Sequence, residues 1–186
     1  GLFDSDKVVI VDSGWTGSMQ RSIRQLMEQE GYTGNLIGYY FGMFANRKEM
    51  KDGEYHCFYF TATSHKWRKV TFCNNLFEIM LSAPHGMTIG YERDGELYRA
   101  IFDDHVSEQY KKAVHEQIKG ILNGVDKLSC DKEVNCSGFM QLMSRPKIED
   151  VLAYQVFQFG DDITEKDKEN LADFNIKNGF ENWNDP

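Results

Sequence analysis

Proline is scarce in this sequence, three residues among 186, and no Pro-rich or repeated stretch interrupts it. With no linker to divide it, the chain reads as one α/β domain over residues 1–186, long enough to bury a core without staples. Cysteine is also sparse. Cys57, Cys73, Cys130 and Cys136 form no C-x-x-C pair and follow no regular spacing, which argues against a disulfide framework and for a reduced, cytoplasmic protein. Cys130 and Cys136 can bridge only if their loop brings them together. No apolar run approaches the ~18 residues of a membrane span, so no transmembrane segment is expected. The start, Gly-Leu-Phe-Asp, lacks a charged-then-apolar signal and an initiator Met, so a piece of a longer protein is expected.

Positive charge is in short supply as well. Lys and Arg number 21 against 29 Asp and Glu, a net −8 with a pI near 5.1, whereas a nucleic-acid backbone demands a clustered basic footprint. Nucleic acid is therefore excluded as the expected partner. The clusters His65 to Lys69 and Tyr110 to Lys112 read as solvated helix faces. Aromatic residues are plentiful, with 13 Phe and 9 Tyr, and predict an aromatic-rich core.

Val8 to Val11 is an uninterrupted β-branched run, the pattern of a strand covered on both faces in the middle of a sheet. From Ser18 the period changes to that of a helix through Met19, Ile23, Leu26 and Met27, and Gly31 supplies a left-handed stop. Asn35 to Phe44 predicts a second strand parallel to the first, and Glu54 to Thr61 a third, antiparallel to the second. Ser64 is placed to cap one long helix reaching Leu81, ended by Pro84 and Gly86. Arg93-Asp94-Gly95 between MTIGYE and ELYRAIF predicts a hairpin. Asp103 or Asp104 is placed to cap a helix through Val125. Shorter helices are expected from Ser137 and from Pro146, and Thr164 with Asp167 resembles a capping box for a last one. The tail, 165–186, loses its period and is expected to be partly disordered. The fold class is thus α/β, a small, mostly parallel sheet flanked by helices, Rossmann-like or haloacid-dehalogenase-like, with a hairpin excursion and a helical C-terminal half.

The segment DSGWTGSMQ, Asp12 to Gln20, carries the chemistry. It leaves a strand at its carboxyl end, where α/β proteins bind ligands. Gly14 and Gly17 allow close backbone approach, and Thr16 and Ser18 add hydroxyls beside the free amides of a helix start, a combination suited to phosphate. Asp12 is then available to a sugar hydroxyl or a metal, Trp15 to a ring face, and Gln20 to an amide hydrogen bond. The plain alternative is a tight turn in which Trp15 packs the core and Asp12 caps the loop. The dinucleotide G-x-G-x-x-G and the Walker Lys are absent. A further alternative takes Val8 to Thr16 as a phosphohydrolase nucleophile strand, hhhhDxDxT, with Asp12 as catalytic nucleophile and Mg²⁺ held by Asp161 and Asp162; Gly14 stands where that pattern has its general acid. His85, in Pro84-His85-Gly86, is a candidate second wall. His56, His65, His105 and His115 show no ligand spacing.

Together VDSGWTGSMQ, the GYYFG of Gly38 to Gly42, FEIMLSAPHGMTIGYERDG of Phe77 to Gly95 and the late FQFGDD resemble the C-terminal portion of predicted hydrolases of the haloacid-dehalogenase superfamily that occur with glycosyltransferases in bacterial surface-polysaccharide biosynthesis. The resemblance implies an accessory domain, with the nucleophile region upstream. It also implies a sugar phosphate or nucleotide sugar as ligand, and an upstream hydrolase domain or a glycosyltransferase as protein partner.

Overall fold

The computed structural model describes residues 4–45, 53–103, 105–127, 134–159 and 169–170. The chain divides into two compact units, Gly1–Phe72 and Cys73–Pro186. Among the described residues it is mixed α/β, with six helices, a three-stranded parallel sheet and two separate two-stranded antiparallel sheets.

The first unit runs β1 (Lys7–Asp12), α1 (Ser18–Gln29), β2 (Asn35–Gly42), β3 (Glu54–Phe60) and α2 (Lys66–Thr71). The change of period at Ser18 marks the start of α1 as predicted, and Gly31, at φ 83°, ends it while Tyr32 NH bonds back to Met27 O. β1 and β2 pair in parallel, Val8 against Leu36 and Ile10 against Gly38. β3 is also parallel to β2, not antiparallel, so the sheet order is β1-β2-β3 and all three carboxyl ends lie on one side.

Two further expectations fail in this unit. β1 is an edge strand, not a central one, and it is covered on one face only. Val8 and Ile10 meet Ile23 and Met27 of α1, with Leu36 and Tyr32 completing the cluster. Val9 and Val11 face outward, 56% and 83% exposed. A β-branched run reports strand propensity, which suits an edge as well as a centre. The long helix expected from Ser64 to Leu81 is broken, with Phe72 and Cys73 in extended conformation between α2 and α3 (Asn74–Met80). The break releases Phe72 into an aromatic cluster, 4.9 Å from Trp15 and 5.2 Å from Phe60 between ring centroids. Ser64 does not cap α2. Its hydroxyl bonds to that of Thr61, and His65, at φ 52°, precedes the helix.

The second unit contains α3, the hairpin β4 (Thr88–Asp94) and β5 (Leu97–Phe102), α4 (Glu108–Val125), α5 (Ser137–Ser144) and α6 (Ile148–Tyr154). The hairpin turns on Gly95, at φ 64°. The cap of α4 is neither predicted aspartate: Ser107 Oγ accepts the Tyr110 NH at 3.2 Å, and Asp103 Oδ1 accepts the His105 NH instead. Ile79, Val114 and Phe157 form a core that Tyr110, Ile118 and Tyr154 flank. β6 (Gln158–Phe159) pairs antiparallel with β7 (Glu169–Asn170), so these last two residues are not in the helix expected from Thr164. Asp104, Thr164 and Asp167 lie outside the described residues. Cys57, Cys73 and Cys136 are free thiols, and Cys130 is outside the described residues.

Candidate functional site

The loop from Asp12 to Ser18 leaves β1 at the carboxyl side of the parallel sheet. Gly14 sits at φ 152° against β2, where a Cβ would come 2.6 Å from Gly42 O. Only glycine fits that approach. Asp12 turns back on its own loop: its Oδ1 accepts the Gly14 NH at 3.3 Å and the Ser13 hydroxyl at 3.4 Å. Gly17 takes the left-handed conformation, φ 68° and ψ 18°, and α1 follows at once.

The side chains of this segment divide sharply. Trp15 turns inward, stacked on Phe60 at 6.3 Å and tilted against Phe44 at 5.8 Å, in addition to Phe72. These rings pack beside the carboxyl ends of the strands, and the half-buried Trp15 serves as part of that aromatic cluster. Gln20 is fully buried. Its amide donates to Leu36 O at 3.3 Å and Glu54 O at 3.2 Å, and its Oε1 accepts the Tyr40 hydroxyl at 2.9 Å. With three internal partners it ties α1 to β2 and β3, and no atom is left for the ligand bond expected of it. The reason is shape: Gly38 and Gly53 leave room for that amide, and a Cβ on Gly53 would lie 2.6 Å from its Nε2.

Thr16, Gly17 and Ser18 behave differently. Their backbone NH groups meet no hydrogen-bond partner among the described residues, and the hydroxyls of Thr16 and Ser18, both exposed, lie 3.2 Å apart. The start of α1 has no side-chain cap and no acidic residue in its first turn. Arg21, exposed, makes no ion pair among the described residues. A cation at this end opposes the helix dipole, and an anion bound between them would offset that. Arg21 was missed by sequence reasoning. The signal was legible: a first turn with a base, no acid, and no acidic residue four positions on.

The other candidates fall elsewhere. His85 belongs to the second unit, where its ring stacks on Phe102 at 3.8 Å and its Nδ1 donates to Gly86 O at 2.8 Å. Asp161 and Asp162 lie outside the described residues. Among the described residues, no group of three or more His, Cys, Asp or Glu side chains is placed to hold a metal ion. Burial pushes the Cys57 thiol up, which keeps it a thiol and a poor nucleophile. No described helix is long and apolar enough to cross a membrane. No protein-family model matches the sequence, and no curated protein matches it.

Proposed function

We propose that the chain binds the phosphate of a sugar phosphate or nucleotide sugar at the start of α1, as an accessory domain in bacterial surface-polysaccharide biosynthesis. The polysaccharide setting comes from the sequence resemblance alone. The anion is supported by one observation: three successive backbone donors, Thr16 to Ser18, have no partner among the described residues at a helix start that lacks acids and carries Arg21. A helix N-terminus bears about half a positive charge, and its NH groups are directed donors. Thr16 and Ser18 hydroxyls add donors to the phosphate oxygens, and the second oxygen of Asp12 accepts from a sugar hydroxyl. Relative to the reading from sequence, the ligand sits further out, because aromatic rings fill the inner space and Trp15 and Gln20 belong to the scaffold.

Calorimetric titration with glucose 1-phosphate and with UDP-glucose tests this reading. Saturable binding to the full chain is expected, weakened at least about tenfold by Ser18→Asp, whose carboxylate occupies the same donors. Unchanged binding in that variant refutes the site.

Phosphoester hydrolysis with Asp12 as the nucleophile that accepts the phosphoryl group is less well supported, because Gly14 replaces the general acid and Asp12 Oδ1 is engaged by its own loop. A magnesium-dependent phosphatase assay with Asp12→Asn as control decides it. A docking role toward a glycosyltransferase has one observation in its favour, the outward face of the parallel sheet. There Val9, Val11, Tyr39 and Phe58 are 56%, 83%, 48% and 54% exposed.

A further inference from the structure

The second unit contains a cavity of about 180 Å³ between α3, α5 and α6, independent of the loop at α1. Its walls are mainly apolar, with Leu76 from α3, Leu142 from α5 and Val151 from α6 among them. An apolar cavity of about 150 Å³ suffices for benzene, so this one has room for a single six-membered ring. Cys73, exposed, also lines it, marking a side open to solvent.

Two polar groups interrupt the apolar lining, Asp150 and Tyr154. Asp150 is half-buried, and its Oδ2 accepts the Lys147 NH at 2.8 Å to begin α6. It forms no ion pair with any described residue. A half-buried carboxylate beside an apolar hollow, with one oxygen used by its own helix and no cation opposite, is complementary to a ligand that brings the cation itself. Burial, and then the Asp150 charge, push the Tyr154 phenol up, so its hydroxyl stays neutral and able to hydrogen-bond.

We propose that this cavity binds a small primary amine whose apolar body is about one six-membered ring, the ammonium against Asp150 and the ring among Leu76, Leu142 and Val151. A carboxylate-bearing ring meets repulsion at the same place. A neutral ring of the same size fills the hollow but leaves the carboxylate without its counter-charge.

Methyl-resolved NMR of the full chain, titrated separately with benzylamine, benzyl alcohol and benzoate, tests the proposal. Benzylamine is expected to shift the Leu142 and Val151 methyl resonances saturably and leave those of Leu36, in the first unit, unmoved. Benzyl alcohol is expected to bind more weakly and benzoate not at all. Asp150→Asn, which retains an oxygen for the Lys147 NH, is expected to weaken benzylamine roughly tenfold and leave benzyl alcohol unchanged. Val151→Phe, which fills the cavity, is expected to abolish both, with Leu142→Phe as the second variant should the first unfold. Three results overturn the proposal: no saturable methyl shift with benzylamine, equal affinity for benzylamine and benzoate, or an Asp150→Asn variant that binds benzylamine as well as the parent.

Discussion

The two long helices, α1 of 12 residues and α4 of 18, begin in opposite ways. α4 is closed by its own sequence, since Ser107 accepts the Tyr110 NH and Glu108 adds a negative charge to the first turn. α1 has neither device, and its leading donors point to no partner among the described residues. Each helix is anchored by one glutamine to backbone carbonyls. Gln117 of α4 donates to Ile79 O and Met80 O at 3.0 and 3.1 Å, which caps the end of α3. Gln20 of α1 is fully buried and bridges two strands. The difference teaches that a helix held in its first turns by a buried anchor does not need a terminal cap for its position. Its leading amides, of which Thr16 and Ser18 are exposed and Gly17 is buried, are then mounted on a fixed support, where we propose that an anion meets them.

That contrast can be broken at its anchors first. Gln20→Ala removes the amide that holds the Leu36 and Glu54 carbonyls and opens a cavity at a fully buried position, so urea denaturation is expected to record a loss of about 3 kcal/mol. Gln117→Ala, where the side chain is only half-buried and water can replace it, is expected to lose about 1.5 kcal/mol. Equal losses would mean that Gln20 is not the stronger anchor. At the helix starts the effects are smaller. Ser107→Ala removes the cap of α4 and is expected to cost about 1 kcal/mol. Ser18→Asp supplies α1 with the charge it lacks and is expected to stabilise the chain by about 0.5 kcal/mol at low salt. A destabilising Ser18→Asp would show that the amides of α1 are not available.

Much of this architecture was legible before any coordinates. The switch from a β-branched run to helical spacing at Ser18, and the stop at Gly31, define β1, α1 and the parallel β2, and Asp94-Gly95 announces the hairpin. Position within a sheet was not legible, because Val8 to Val11 states a preference for strand and nothing about neighbours. The parallel direction of β3 depends on the connection through residues 43–53, which carries no period. The break at Phe72 was hidden because the apolar spacing from Trp67 to Leu81 continues across it, whereas the packing of Phe72 against Trp15 and Phe60 is tertiary and leaves no mark in that spacing. Side-chain direction around the glycine loop was the hardest to read. Trp15 and Gln20 looked like ligand contacts by sequence distance, yet both turn inward, while Arg21 beside them stays in solvent.

The central claim is that the amides of Thr16, Gly17 and Ser18 receive a phosphate. A ¹⁵N-resolved NMR titration of the full chain with glucose 1-phosphate tests it at the atoms concerned. The account predicts saturable shifts of those three amides, with little change at the Tyr110 amide that Ser107 already holds. Shifts that are absent, or that appear at the start of α4 as strongly as at α1, would contradict it.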